Sequence, residues 1–345
     1  MTIDEASGLV ICAINAREGC KQSISDVAKS MVSEEISSND VLAHYVVLTP
    51  GSLRLKRRSL IPPGKTENYQ ERTTIKAWSK KSRANMVSRF SSLDLSPMTS
   101  EPDRLAVMIT LTYPGDWLSL APTAKHAKKH LQQFRKRFER QFERPCFAMW
   151  KAEFQRRGAV HFHLFSVAPI GIQEFRSWVA TAWSEIVNPI DEIERQKHLS
   201  AGTAVDIAPG ASIADARLVA VYFSKHSSAN FGRKEYQNQP PEEWTKSGSV
   251  GRFWGYWNLK PYEVEARITE QELVQLARLI RRWFKSKGYV KTQRVARVDQ
   301  RGTISFRNVK RRSARMGHSF GFIVLEDSLS ISRELSRYLA ILRSQ

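Results

Sequence analysis

Two histidines separated by one apolar residue, His161 and His163, lie in the strand-like run Gly158-Ala159-Val160-His161-Phe162-His163-Leu164-Phe165. Residues i and i+2 of an extended strand project from one face. The two imidazoles therefore stand side by side, as a divalent metal site requires. Glu153 belongs to the preceding strand-like stretch and is placed to face them as a third ligand. Two imidazoles and one carboxylate leave positions open for water and substrate oxygens, which suits Mn²⁺ or Mg²⁺ acting on a phosphodiester. The competing reading is a structural pair of histidines, with Glu153 an ion-pair partner of Arg156 or Arg157.

A second group is Tyr222-Phe223-Ser224-Lys225. On a helix, Tyr222 and Lys225 are three apart and share a face. Tyrosine is a poor nucleophile at its ordinary pKa of about 10. It can attack phosphorus when a metal polarises the phosphate and a lysine stabilises the phenolate. A half-buried surface tyrosine is the plainer alternative. The third group is Ile109-Thr110-Leu111-Thr112-Tyr113-Pro114, a buried strand ending at a turn. Thr110 and Thr112 share a face and would either line a DNA surface or buttress the histidine strand.

The elements that must position these groups can be read from periodicity. Residues 106–113 are β-rich and stop at Pro114-Gly115. Residues 122–143 read as a helix with Leu131, Phe134, Phe138 and Phe142 on its buried face. Strands are expected at 146–154 and 159–167, joined as a hairpin by Gln155-Arg156-Arg157-Gly158, with Gly158 making the bend. A helix over 172–186 buries Phe175, Trp178, Val179 and Trp183, and 203–207 is a short strand. Ser212-Ile213-Ala214-Asp215 resembles a capping box opening a helix to about residue 226. The order β-α-β-β-α-β-α implies an α+β fold: an antiparallel five-stranded sheet backed by helices, in a split βαβ (ferredoxin/RRM-like) arrangement. A further helix is expected at 269–286, with strand-like pieces at 293–307 and 319–325. Three regions follow: a basic N-terminal extension and linker (1–100, Lys-, Arg-, Ser- and Pro-rich from 59 to 101), a central domain (101–262), and a basic C-terminal region (263–345).

Net charge is +20 over 345 residues, the balance of a nucleic-acid binder. The three cysteines have no CxxC or Cys/His zinc spacing, which argues against a disulfide framework or a zinc ribbon. There is no run of about eighteen apolar residues and no secretory pattern, so a soluble, cytoplasmic protein with no membrane partner is expected. Lys128, Arg135 and Arg137 on the long helix, and Arg156 and Arg157 in the hairpin, are candidate phosphate contacts. The basic run at 310–315 is another, and Trp254 and Trp257 could stack bases.

Taken in order, the Ile-Thr-Leu-Thr-Tyr-Pro strand, His161-Phe162-His163 and Tyr222 to Lys225 resemble the three motifs of the HUH endonuclease superfamily. The likeness is to the rolling-circle replication initiators of bacterial plasmids and bacteriophages. Trp150-Lys151-Ala152-Glu153-Phe154-Gln155-Arg156-Arg157-Gly158-Ala159 strengthens it, and the resemblance covers about residues 104–260. It implies an enzyme that nicks and rejoins origin DNA. His161, His163 and Glu153 would hold the metal, Tyr222 would form a 5′-phosphotyrosine, and Lys225 would assist. No second tyrosine follows one helical turn later, since 226 is His and 229 is Ala, so a single-tyrosine enzyme is implied. No P-loop pattern occurs, so single-stranded origin DNA, a host helicase and a host DNA polymerase are the expected partners. Relaxases and transposases share the chemistry, although a relaxase typically pairs three histidines with an amino-terminal tyrosine. A non-catalytic basic nucleic-acid-binding protein is the alternative from another class.

Overall fold

The computed structural model describes residues 16–33, 42–60, 75–99, 105–207, 235–248, 250–286, 290–298, 302–312, 316–318, 322–324 and 328–345. Tyr222, Lys225 and the expected capping box at Ser212 lie outside the described residues. The chain begins with α1 (Ala16–Met31), β1 (Leu42–Thr49), β2 (Ser52–Ser59), α2 (Lys80–Ser91), β3 (Leu93–Asp94) and α3 (Ser96–Thr99). Next come β4 (Ala106–Thr112), α4 (Trp117–Leu120), α5 (Ala124–Phe142), β5 (Ala148–Phe154), β6 (Val160–Val167), α6 (Ile172–Val187), α7 (Glu192–Ala201) and β7 (Thr203–Ile207). The remainder holds α8 (Glu242–Lys246), β8 (Trp254–Trp257), β9 (Lys260–Pro261), β10 (Val264–Ile268) and α9 (Glu270–Ser286). It ends with β11 (Val290–Val298), β12 (Ile304–Arg312), β13 (Met316–His318), β14 (Phe322–Val324) and α10 (Ser328–Arg343). These elements form two compact units.

The central unit, from α2 to β9, is built on an antiparallel five-stranded sheet in the order β7-β4-β6-β5-β8. The successive strands β4 and β5 are separated by β6, and β6 and β7 by β4. This is the split βαβ expected, made twice, with β8 added at the edge. Strand alternation then sorts the side chains. Ile109, Leu111, Phe162 and Leu164 are buried on one face. There Phe162 packs edge-on to Trp150, and Lys128 of α5 reaches both rings. Helices α5 and α6 close together through Leu131, Phe134 and Phe138 on the first and Phe175, Val179 and Trp183 on the second, all buried. Each such side chain removed from water contributes on the order of 1.5–3 kcal/mol. The opposite face carries Lys151, Glu153, His161, His163, Thr110 and Thr112.

One expectation does not hold. Residues 75–99 are not a loose linker. Ser79 caps α2 through Ser82 N, and Met86, Phe90, Leu93 and Trp78 are buried, with Trp78 stacked on Phe253 at 5.9 Å. Lys76, Lys81 and Arg89, which colour the composition, are exposed and mask the few apolar positions.

The second unit takes α1, β1 and β2 from the first part of the chain and the elements from β10 onward. Its antiparallel sheet runs β10-β1-β2-β14-β13. Val46, Leu48, Leu53, Leu55, Ala266 and Ile268 meet the apolar faces of α1, α9 and α10 in one core. Thr269 and Glu272 form a reciprocal capping box at the start of α9: Thr269 N donates to Glu272 Oε2 at 2.8 Å, and Glu272 N to Thr269 Oγ1 at 3.2 Å. Among the described residues no helix is long and apolar enough to cross a membrane.

Candidate metal centre

Glu153 on β5 and the two histidines on β6 come together. Pairing sets Glu153 opposite His161 and Lys151 opposite His163. On the other side of β6, Thr112 is opposite His161 and Thr110 opposite His163. Two rows of three residues thus cross the same face. Glu153 Oε2 lies 3.2 Å from His163 Nε2 and 3.8 Å from His161 Nε2. One donor atom from each of the three residues falls within 4.8 Å of the others. Donors about 2.1 Å from a common ion stand roughly 3–4 Å apart, so the group is able to hold one metal ion with small side-chain movements.

The surroundings favour that use. Thr110 Oγ1 is 3.1 Å from His163 Nδ1. With the Nδ1 proton in this bond, Nε2 turns its lone pair toward Glu153, the orientation a ligating imidazole needs. Lys151 Nζ donates to Glu153 Oε1 at 2.5 Å, and the two side chains are only 1% and 2% exposed. Lys151 therefore occupies one carboxylate oxygen and leaves Oε2 to the histidines, so Glu153 would ligate through a single oxygen. Burial pushes the Lys151 ammonium down from its ordinary pKa, and the charge and hydrogen bond of Glu153 work against that shift. Lys151 received no role from the sequence. Its place two residues before Glu153, on the same strand face, was the available signal.

The histidine side chains are 16% and 18% exposed, so the group is closed beneath by Glu153 and open above. Beside it is a cleft of about 350 Å³ lined by Phe154, Gln155, Arg156, Arg157, His161 and Gln237. Arg156 and Arg157 are the two basic residues the structure brings beside the histidines. Arg157 donates to the carbonyls of Tyr113, Pro114 and Gly115, which fastens the β5–β6 turn to the end of β4. Gly158 ends that turn at φ 84° and donates to Gln155 O at 2.9 Å, as the bend required.

The cations chosen on α5 lie elsewhere. Lys128 sits on the helix side of the sheet, its Nζ 4.7 Å from the Trp150 ring centroid and donating to Arg252 O. Burial there pushes its pKa down to about 7. Arg135 pairs with Glu139 at 3.0 Å and Asn258 at 3.1 Å, and Arg137 pairs with Glu185. Trp257 is buried beneath Arg135, while Trp254 packs edge-on to Phe90 and donates to Ser82 Oγ at 3.1 Å. Both tryptophans serve packing. Tyr113, at the end of β4, is no rival nucleophile. It is buried, bonded to His130 Nδ1 at 2.9 Å, and burial raises its phenol pKa well above the ordinary value.

Sequence comparison adds one finding. A family of replication-associated proteins, described by its ORF2 member type, matches residues 106–204. The matched segment runs from the first residue of β4 into β7 and contains Glu153, His161 and His163. It agrees with a replication initiator. No curated protein and no solved structure shows a significant match to the chain.

Proposed function

We propose that this protein initiates DNA replication by cutting and rejoining one strand of an origin, in the manner of the HUH endonucleases its motifs resemble. The observation that carries the reading is a carboxylate and two imidazoles within 4.8 Å, on adjacent strands of the segment similar to replication-associated proteins. Glu153, His161 and His163 are the residues that would hold Mn²⁺ or Mg²⁺. A bound cation would supply Lewis-acid polarisation of the scissile phosphate.

Tyr222 is the proposed nucleophile. Its phenol loses a proton and the oxygen attacks phosphorus. The bond from phosphorus to the 3′ oxygen breaks, leaving a 5′-phosphotyrosine and a 3′-hydroxyl that takes up a proton. Lys225 stabilises the phenolate before attack. The 3′-hydroxyl primes synthesis by a host polymerase behind a host helicase. A later 3′-hydroxyl attacks the phosphotyrosine and releases Tyr222 with a closed strand. The phosphotyrosine conserves the bond, so no nucleotide hydrolysis is consumed.

The test uses the full chain with Mn²⁺ and circular single-stranded DNA of the host replicon. Wild type should leave nicked DNA joined covalently to a peptide containing Tyr222. Tyr222→Phe should lower both products at least about a thousandfold. His163→Ala should abolish cleavage and weaken Mn²⁺ binding. An adduct that survives Tyr222→Phe overturns the nucleophile. Cleavage that survives both EDTA and His163→Ala overturns the metal centre.

A further inference from the structure

Strands β11 and β12 form a two-stranded antiparallel ribbon belonging to neither five-stranded sheet. Nine residues per strand give a ribbon about 30 Å long at about 3.4 Å per residue, close to one turn of B-DNA. The two strands contain Lys291, Arg294, Arg297, Arg307 and the run Lys310-Arg311-Arg312, and not one Asp or Glu. Arg294, Arg297 and Arg307 are exposed.

Charge alone would keep a free ribbon from pairing with other edges. It does not account for what accompanies it. Val298, Ile304 and Phe306 are 63%, 61% and 59% exposed. Register sets Val298 opposite Ile304 and Ala296 opposite Phe306, so an apolar patch occupies the turn end of the ribbon. The Arg294 guanidinium lies 4.7 Å from the Phe306 ring centroid, joining the patch to the cations behind it.

We propose that this ribbon binds duplex DNA by lying in a groove. The major groove, about 12 Å wide, admits a two-stranded β-ribbon. Arginines along both strands reach phosphates and guanine edges, and the apolar end contacts thymine methyl groups. Single-stranded DNA fits less well, because it calls for several stacking aromatics, whereas Phe306 is the one aromatic on the two strands and Arg294 lies over it. The inference goes beyond strand cleavage and stands apart from it.

The test is fluorescence anisotropy of the full chain with a labelled duplex of about 30 base pairs, three turns of B-DNA, over a series of NaCl concentrations. The variant Arg294→Gln/Arg297→Gln/Arg307→Gln should bind the duplex at least about tenfold more weakly. Its slope of log affinity against log salt should be shallower by about 0.9 for each lost phosphate contact. The matching triple Arg→Lys variant should keep the slope, and Phe306→Ser should weaken binding without changing it. Nicking of a single-stranded oligonucleotide should stay at the wild-type rate in all three, so failure here and failure of the nicking reading are separable. Unchanged duplex affinity and slope in the triple Gln variant, with a native circular dichroism spectrum, overturns the proposal. So does a change of oligomeric state in light scattering without loss of duplex affinity, which would make the ribbon a contact between copies of this chain.

Discussion

Lys151 decides what kind of ligand Glu153 can be. A buried carboxylate facing two imidazoles would otherwise be driven toward its neutral form, and the ammonium at 2.5 Å keeps it ionised. Removing one partner of a buried pair leaves the other charge uncompensated, at a cost of about 3–5 kcal/mol. Lys151→Met should therefore lower stability by about that much in urea denaturation with EDTA, and by distinctly less with saturating Mn²⁺, which replaces the lost charge. Equal losses with and without the ion would show that no cation reaches Glu153. The sequence revealed Glu153, His161 and His163 because strand alternation and a hairpin are local rules. It was a poor guide to Lys128, Arg135 and Arg137. Charge marks a residue as cationic but does not tell whether a carbonyl, Glu139 or Glu185 already engages it.

The β5–β6 turn is where backbone geometry governs the centre. Its four residues fix the register that sets Glu153 against His161. Gly158 holds φ 84°, and a Cβ there would come within 3.1 Å of the Trp117 ring. A left-handed conformation costs a residue with a Cβ about 1–2 kcal/mol. Gly158→Ala should lose about that much stability in urea and weaken Mn²⁺ binding in calorimetric titration. Full stability would mean that the turn does not strain the register. Elements with strong periodicity were legible: α5, β5, β6, α6, β7 and α9 fall within two residues of their expected bounds. Elements resting on a few signals were not. The β1–β2 hairpin is marked only by Pro50-Gly51, α7 only by the Asp191 cap, and β8 only by its pairing with β5.

Two units with separate cores should unfold as two calorimetric transitions. Mn²⁺ should raise only the transition of the unit holding Glu153, His161 and His163. At about one hundred times the dissociation constant the gain is about 2.7 kcal/mol. A single transition, or an equal rise in both, would contradict this. The interleaving of the units was illegible from sequence, because nothing local tells β1 that its partner is β10. That pairing also has a consequence for synthesis on the ribosome. Thr49 and Val264 are more than two hundred residues apart. At about 5–20 residues per second, the β1–β2 hairpin waits on the order of 10–40 s for β10, and longer for β14 on its other side. Through that interval a nascent hairpin with Val46, Leu48, Leu53 and Leu55 has both edges and its oily face uncovered. The central unit can close first, and a trailing segment must arrive before the leading one is safe from aggregation, which makes this hairpin the natural client of a chaperone.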